Sequence, residues 1–103
     1  MDKLRVLVCE PDKAPEVREI DDTLEAMQAI VGGYIQAIFV NMCKDYVLVC
    51  NEEGRLKGLE PNIYIGLDVI VGTCFFCNNG GEDFASLDDS DIEALKELLS
   101  AGL

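Results

Sequence analysis

Cys74 and Cys77 stand in C-x-x-C spacing, the pattern of a zinc knuckle or a thiol redox pair, and are the first residues of this chain with chemistry to offer. Zinc takes four ligands. The chain has no histidine, so the other two would have to come from Cys9, Cys43, Cys50 or distant carboxylates. The intervening Phe75 and Phe76 suit a buried strand better than the polar or glycine-bearing turn of a knuckle. A thioredoxin-type pair opens a helix, whereas this one lies in a run of β-branched and aromatic residues. The five cysteines, an odd number, are therefore read as reduced thiols serving as small apolar residues in or beside strands. No metal and no cofactor is expected.

The missing histidine also removes the usual general base and the usual triad partner. Gly32-Gly33 follows a helical pattern instead of opening one, and no G-K-[ST] occurs, so there is no phosphate loop. Adjacent acids such as Asp21-Asp22 and Glu52-Glu53 are what an acid-rich chain produces without catalytic purpose. The run at 88–93 (DDSDIE) lacks the central glycine and closing glutamate of a calcium loop, and acids at a helix start are what the helix dipole favours. The expectation is a binding protein without enzymatic activity.

Twenty acidic residues against eight basic ones give a net charge of −12. Such a field repels nucleic acid and anionic membrane and attracts cationic surfaces, including those that bind DNA or RNA. Neither direct nucleic-acid binding nor membrane association is expected. Glu82, Asp83, Asp88, Asp89, Asp91 and Glu93 crowd one stretch, and Glu16, Glu19, Asp21, Asp22 and Glu25 form a second group. Spaced carboxylates can imitate DNA phosphates on a basic partner; the alternative is that they serve solubility alone. Arg55 and Lys57 are the basic exception and share one face if their segment is extended. With Asn51 and Asn62 they make the candidate set for a small anionic ligand such as a nucleotide.

About one hundred residues, half of them apolar, form one domain with one modest core. β-type runs are read at 4–9 (LRVLVC), 16–20 (EVREI), 35–42 and 46–50, the last two as a hairpin. A short strand at 55–59 ends in a break at Glu60-Pro61-Asn62. The run at 69–77 (VIVGTCFFC) is the most apolar and is read as a central strand, with Gly72 as a bulge or close-approach point and 78–81 as a loop. Helices are read at 22–31, with capping-box spacing between Asp22 and Glu25 and a Gly32-Gly33 stop, and from Asp88 to a stop at Gly102. About five strands, mixed or antiparallel, and two helices define an α+β domain. The longest apolar runs are far short of a membrane span and no targeting pattern opens the chain, so a cytosolic protein is expected.

The segments at 24–35 (LEAMQAIVGGYI), 50–59 (CNEEGRLKGL) and 70–73 (IVGT), with Asp83-Phe84 and Ser86-Leu87, resemble a small domain-of-unknown-function family over nearly the whole chain. N-E-E-G-x-L-x-G-L is the most specific part. The resemblance implies a setting in phages, plasmids and conjugative elements of Firmicutes near anti-restriction genes, hence the cytoplasm of a bacterial host cell. The family tends to read L-P-x-N-R after that motif, whereas here Asn62 is followed by Ile63, so no ligand role of that arginine carries over. In this setting one expected partner is a host defence protein with a basic surface, blocked by a DNA-mimicking acidic face. The alternative is a sponge that sequesters a cyclic-nucleotide immune signal, in a pocket at the interface of a homo-oligomer. A third reading is an accessory mobile-element protein with a protein partner only.

Overall fold

The computed structural model describes residues 2–41 and 44–101, in the order β1 (Lys3–Cys9), β2 (Glu16–Asp21), α1 (Leu24–Val31), β3 (Ile35–Asn41), β4 (Asp45–Asn51), β5 (Pro61–Ile65), β6 (Asp68–Val71), β7 (Cys74–Asn79), β8 (Phe84–Ala85) and α2 (Asp89–Ser100). One antiparallel sheet runs β2-β1-β7-β4-β3, with β8 also on β7, and β5-β6 make a separate hairpin. The fold is α+β, with more strands than the sequence suggested.

The three middle strands, β1, β7 and β4, are apolar over consecutive residues (6–9, 74–77 and 46–50) because both of their faces are covered there. In β4, Tyr46, Leu48 and Cys50 enter one core while Val47 and Val49 enter the other; in β7, Cys74 and Phe76 oppose Phe75 and Cys77. The first core is closed by α2, through Ile92 and Leu95, by Leu87 just before it, and by Ile63 and Ile70 of the β5-β6 hairpin. The second is closed by α1 through Met27 and Val31. Phe75 and Phe76 are fully buried, each contributing about 2–3 kcal/mol from removal of its ring from water.

Both helices are capped, though α1 not where the sequence placed its start. Thr23, extended at φ −134°, accepts from the Ala26 N–H, so Thr23 and not Asp22 is the N-cap; the Asp22 N–H still donates to Asp2 O at 3.1 Å, at the end of the β1-β2 pair. Gly32, at φ 80°, closes α1 in the left-handed conformation that glycine adopts without strain. In α2 the Asp88 side chain accepts from the Asp91 N–H while the Asp91 side chain accepts from the Asp88 N–H, a reciprocal capping box. The expected stop at Gly102 and the thiol of Cys43 lie outside the described residues, as does Met42 at the expected end of the third strand.

Four further expectations are corrected. Residues 52–58 form a succession of tight turns instead of a strand, held by Lys57 N–H to Glu53 O at 3.0 Å and Leu59 N–H to Gly54 O at 3.0 Å. Pro61 begins β5 where a break was read, which an edge position tolerates because its missing N–H faces no ladder partner. The run at 69–77 is two strands, parted at Gly72 (φ 76°), and Asn78-Asn79 continue β7 instead of forming a loop. A β-carbon on Gly72 would lie 2.7 Å from Leu59 Cδ1, so the chain there must be bare. Among the described residues no helix is long and apolar enough to cross a membrane.

Candidate functional site

Cys74 and Cys77 lie on opposite faces of β7, because residues three apart in a strand alternate sides, so the pair cannot grip one ion. Among the described residues no three metal-ligating side chains converge. Cys74 faces Cys9 across the β1-β7 ladder; hydrogen bonding to Cys9, then burial, raises its thiol far above the ordinary value. Burial, assisted by the Asp22 carboxylate, pushes Cys77 up to about 12. These thiols are held protonated and serve as packing.

The six acids expected to form one face divide. Asp91 is 3 % exposed and turned inward. Its Oδ1 accepts from Lys44 Nζ and Tyr46 OH, both at 3.0 Å, and its Oδ2 from Asn78 Nδ2 at 2.7 Å and the Asp88 N–H at 3.0 Å. Burial alone would raise its pKa; the Asp88 N–H, Lys44, Asn78 and Tyr46 outweigh it and hold the carboxyl well below the ordinary range. Asp91 is thus a fastener between α2, β4 and β7, not a recognition group. Asp89 pairs with Arg5 at 2.8 Å, and Asp88 divides its exposed side chain between the cap and Ser90 Oγ. Glu82, Asp83 and Glu93 are exposed and in no ion pair among the described residues, all three near the N-terminal end of α2 or in the turn before β8.

The ligand set of Asn51, Arg55, Lys57 and Asn62 is brought together only in part: Asn51 and Arg55 line one cleft, the Asn51 amide and Lys57 Nζ meet over Gly33, and Asn62 lies apart against Cys9 and Gly72. Asn51 is buried: its amide donates to Val31 O at 3.1 Å and its carbonyl accepts from the Glu53 N–H at 2.8 Å, joining the turn at 52–58 to the end of α1. Asn62 donates to Cys9 O and Gly72 O, both at 2.8 Å, and so fastens the β5-β6 hairpin to the sheet. A β-carbon on Gly54 would meet Val71 Cγ2 at 2.7 Å. Asn51, Gly54 and Leu59, the recognisable residues of N-E-E-G-x-L-x-G-L, therefore build the turn and seat it on the hairpin. Arg55 and Lys57 part company because the segment is coiled. Arg55 lines a cleft of about 340 Å³ and donates to Val69 O at 3.2 Å, whereas Lys57 lies over Gly33 beside a smaller hollow of about 150 Å³.

The larger cleft lies between β3-β4, the turn at 52–58 and β6. Ile38, Leu56 and Ile70 give it apolar walls, and Arg55 is accompanied there by the acids Glu52 and Asp68. One guanidinium against two carboxylates is a poor seat for a phosphate and a better one for a neutral or cationic group. Across the protein, Lys3, Arg5, Lys13, Arg18 and Lys44 are each in an ion pair, with Asp21, Asp89, Glu10, Glu16 and Asp91. Five of eight basic groups are thereby neutralised at home, and fifteen of twenty acids have no such partner among the described residues. Internal pairing removes as many cations as anions, so it leaves the surface one-signed. That distribution could not be read from the sequence, although the capping-box spacing of Asp88 and Asp91 marks the latter as bound to backbone.

No curated protein and no solved structure matches the chain. A family model described as a domain of unknown function (DUF3846) matches residues 4–100.

Proposed function

The chain belongs to the DUF3846 family, and we propose that it works by binding, as an anti-defence protein of a phage or other mobile element that occupies the basic nucleic-acid surface of a host defence enzyme. The observation that carries this reading is the charge left after internal pairing among the described residues: fifteen acids without an ion-pair partner there against Arg55, Lys57 and Lys96. Carboxylates spaced over a rigid sheet-and-helix body meet lysines and arginines arranged for phosphates, with the ordering cost already met by the fold. Glu82, Asp83 and Glu93 are the residues of the expected face best placed for this, since each is exposed and in no ion pair among the described residues; Asp88 and Asp89 border them.

The reading as a nucleotide sponge rests on the cleft of about 340 Å³ that holds Arg55. Its volume suits a small molecule, but Glu52 and Asp68 oppose a phosphate, which places this reading second. The two separate in one experiment: the purified protein is titrated into host restriction and CRISPR nucleases, and in parallel against a panel of cyclic nucleotides. The binding reading expects nuclease inhibition that falls at least tenfold when Glu82, Asp83 and Glu93 are changed together to Lys, with no nucleotide shifting the melting temperature. Inhibition unaffected by these changes refutes it, and a nucleotide-dependent shift abolished by Arg55→Ala would put the sponge in its place.

A further inference from the structure

The two outer strands of the main sheet are finished in opposite ways. β2 carries Glu16, Arg18, Glu19 and Asp21 in six residues, the charges with which natural sheets keep their edges from pairing. β3, with the sequence IQAIFVN, is seven residues long and has no charge, no proline and no register slip along its pairing with β4. The open edges of the β5-β6 hairpin are blunted by contrast, β5 by Pro61 and an irregular step before Ile63, β6 by its four-residue length. Among the described residues β3 is therefore the outer strand of the sheet without such protection, and it bears Phe39, 71 % exposed.

We propose that β3 is the interface for a second copy of this chain, joined edge to edge and antiparallel into one continuous sheet. Three observations favour a copy over another occupant. In a protein of net charge −12, two copies repel wherever their acidic surfaces meet, and β3 is a seam where neither brings a charge. The backbone is available in the needed pattern: Glu52 N–H donates to Tyr34 O at 2.8 Å in line with the β3-β4 register. By antiparallel alternation the odd residues Ile35, Ala37, Phe39 and Asn41 thus direct their N–H and C=O groups to the open edge. Finally, the strand fits itself. A two-fold axis at Ile38 sets Phe39 of each copy opposite Ala37 of the other, a large exposed side chain beside a small one, made twice by symmetry. Gln36 and Ile38 line the 340 Å³ cleft from the same strand, so the second copy would lie beside that cleft.

Light scattering after gel filtration tests this on the whole chain. The expected mass is twice the 11.3 kDa of one chain. Phe39→Lys, at an exposed position, is expected to give the single-chain mass with an unchanged far-ultraviolet circular dichroism spectrum, and Ala37→Glu the same. Mixed together, the two variants should recover the doubled mass, because the register places the new lysine against the new glutamate. A wild-type chain of single mass at every concentration overturns the proposal. So does a dimer that Phe39→Lys leaves intact, and a mixture that stays monomeric refutes the register.

Discussion

Replacing Asp91 by alanine tests whether the buried carboxylate holds α2 to the sheet. The variant loses four accepted hydrogen bonds, from Lys44, Tyr46, Asn78 and the Asp88 N–H. Lys44 is half exposed and recovers water at little cost. Asn78 does not: it is 9 % exposed, its second amide hydrogen is bonded to Ser86 O, and the one released has no other acceptor, a penalty of about 1–3 kcal/mol. The bond from Tyr46 adds about 1 kcal/mol and half of a capping box about 1 kcal/mol, with incomplete additivity inside one network. A loss of about 3 kcal/mol follows, a large part of the stability of a domain this size, and it lowers the thermal midpoint by about 12–24 °C. The pH dependence carries the sign. The carboxyl is held below its ordinary value in the folded state, so its contribution is complete above about pH 4 and is lost as pH falls toward the folded value. Thermal melts of both proteins from pH 7 down to about pH 2 should show the wild-type advantage shrinking in acid. A variant within about 0.5 kcal/mol of wild type at pH 7, or two parallel acid limbs, would refute the network as described.

Gly33→Ala is expected to destabilise by about 1–3 kcal/mol, because its β-carbon would lie 2.9 Å from the doubly bonded Asn51 amide; urea titration measures it. Asn51→Ala should cost about 1–3 kcal/mol by freeing the turn at 52–58 from α1, again in urea, with faster amide exchange at Glu53. Cys9, Cys50, Cys74 and Cys77, all buried, should remain unalkylated by iodoacetamide at pH 8 in the folded protein and react fully in denaturant, as read by peptide mass spectrometry. Appearance of label on Cys74 or Cys77 without unfolding would contradict the two-sided core.

The sequence made the core legible because strands covered on both faces are apolar over consecutive residues, as in the runs at 4–9, Arg5 apart, and 46–50 that became β1 and β4. Local polar signals were legible as well: Asp88 as the cap of α2, and Gly32 as the stop of α1. What failed depended on tertiary partners. The run at 69–77 reads as one strand until Leu59 is seen packed where a β-carbon at Gly72 would stand. Asn78 looks like a loop residue until Asp91 supplies its acceptor, and Arg55 and Lys57 share a face only in an extended segment, which Asn51 prevents by closing a turn. The candidate acidic face suffered for the same reason: in a chain with so many carboxylates, spacing does not tell which one the core will claim.

The proposed mode of action meets its most direct test in the salt dependence of binding to an inhibited nuclease, measured by calorimetry and by competition with duplex DNA. If the acidic surface replaces phosphates, the association constant falls steeply between about 50 and 200 mM salt, and DNA and this protein exclude one another from the enzyme. An affinity that holds constant across that range, or a ternary complex with DNA still bound, would contradict it.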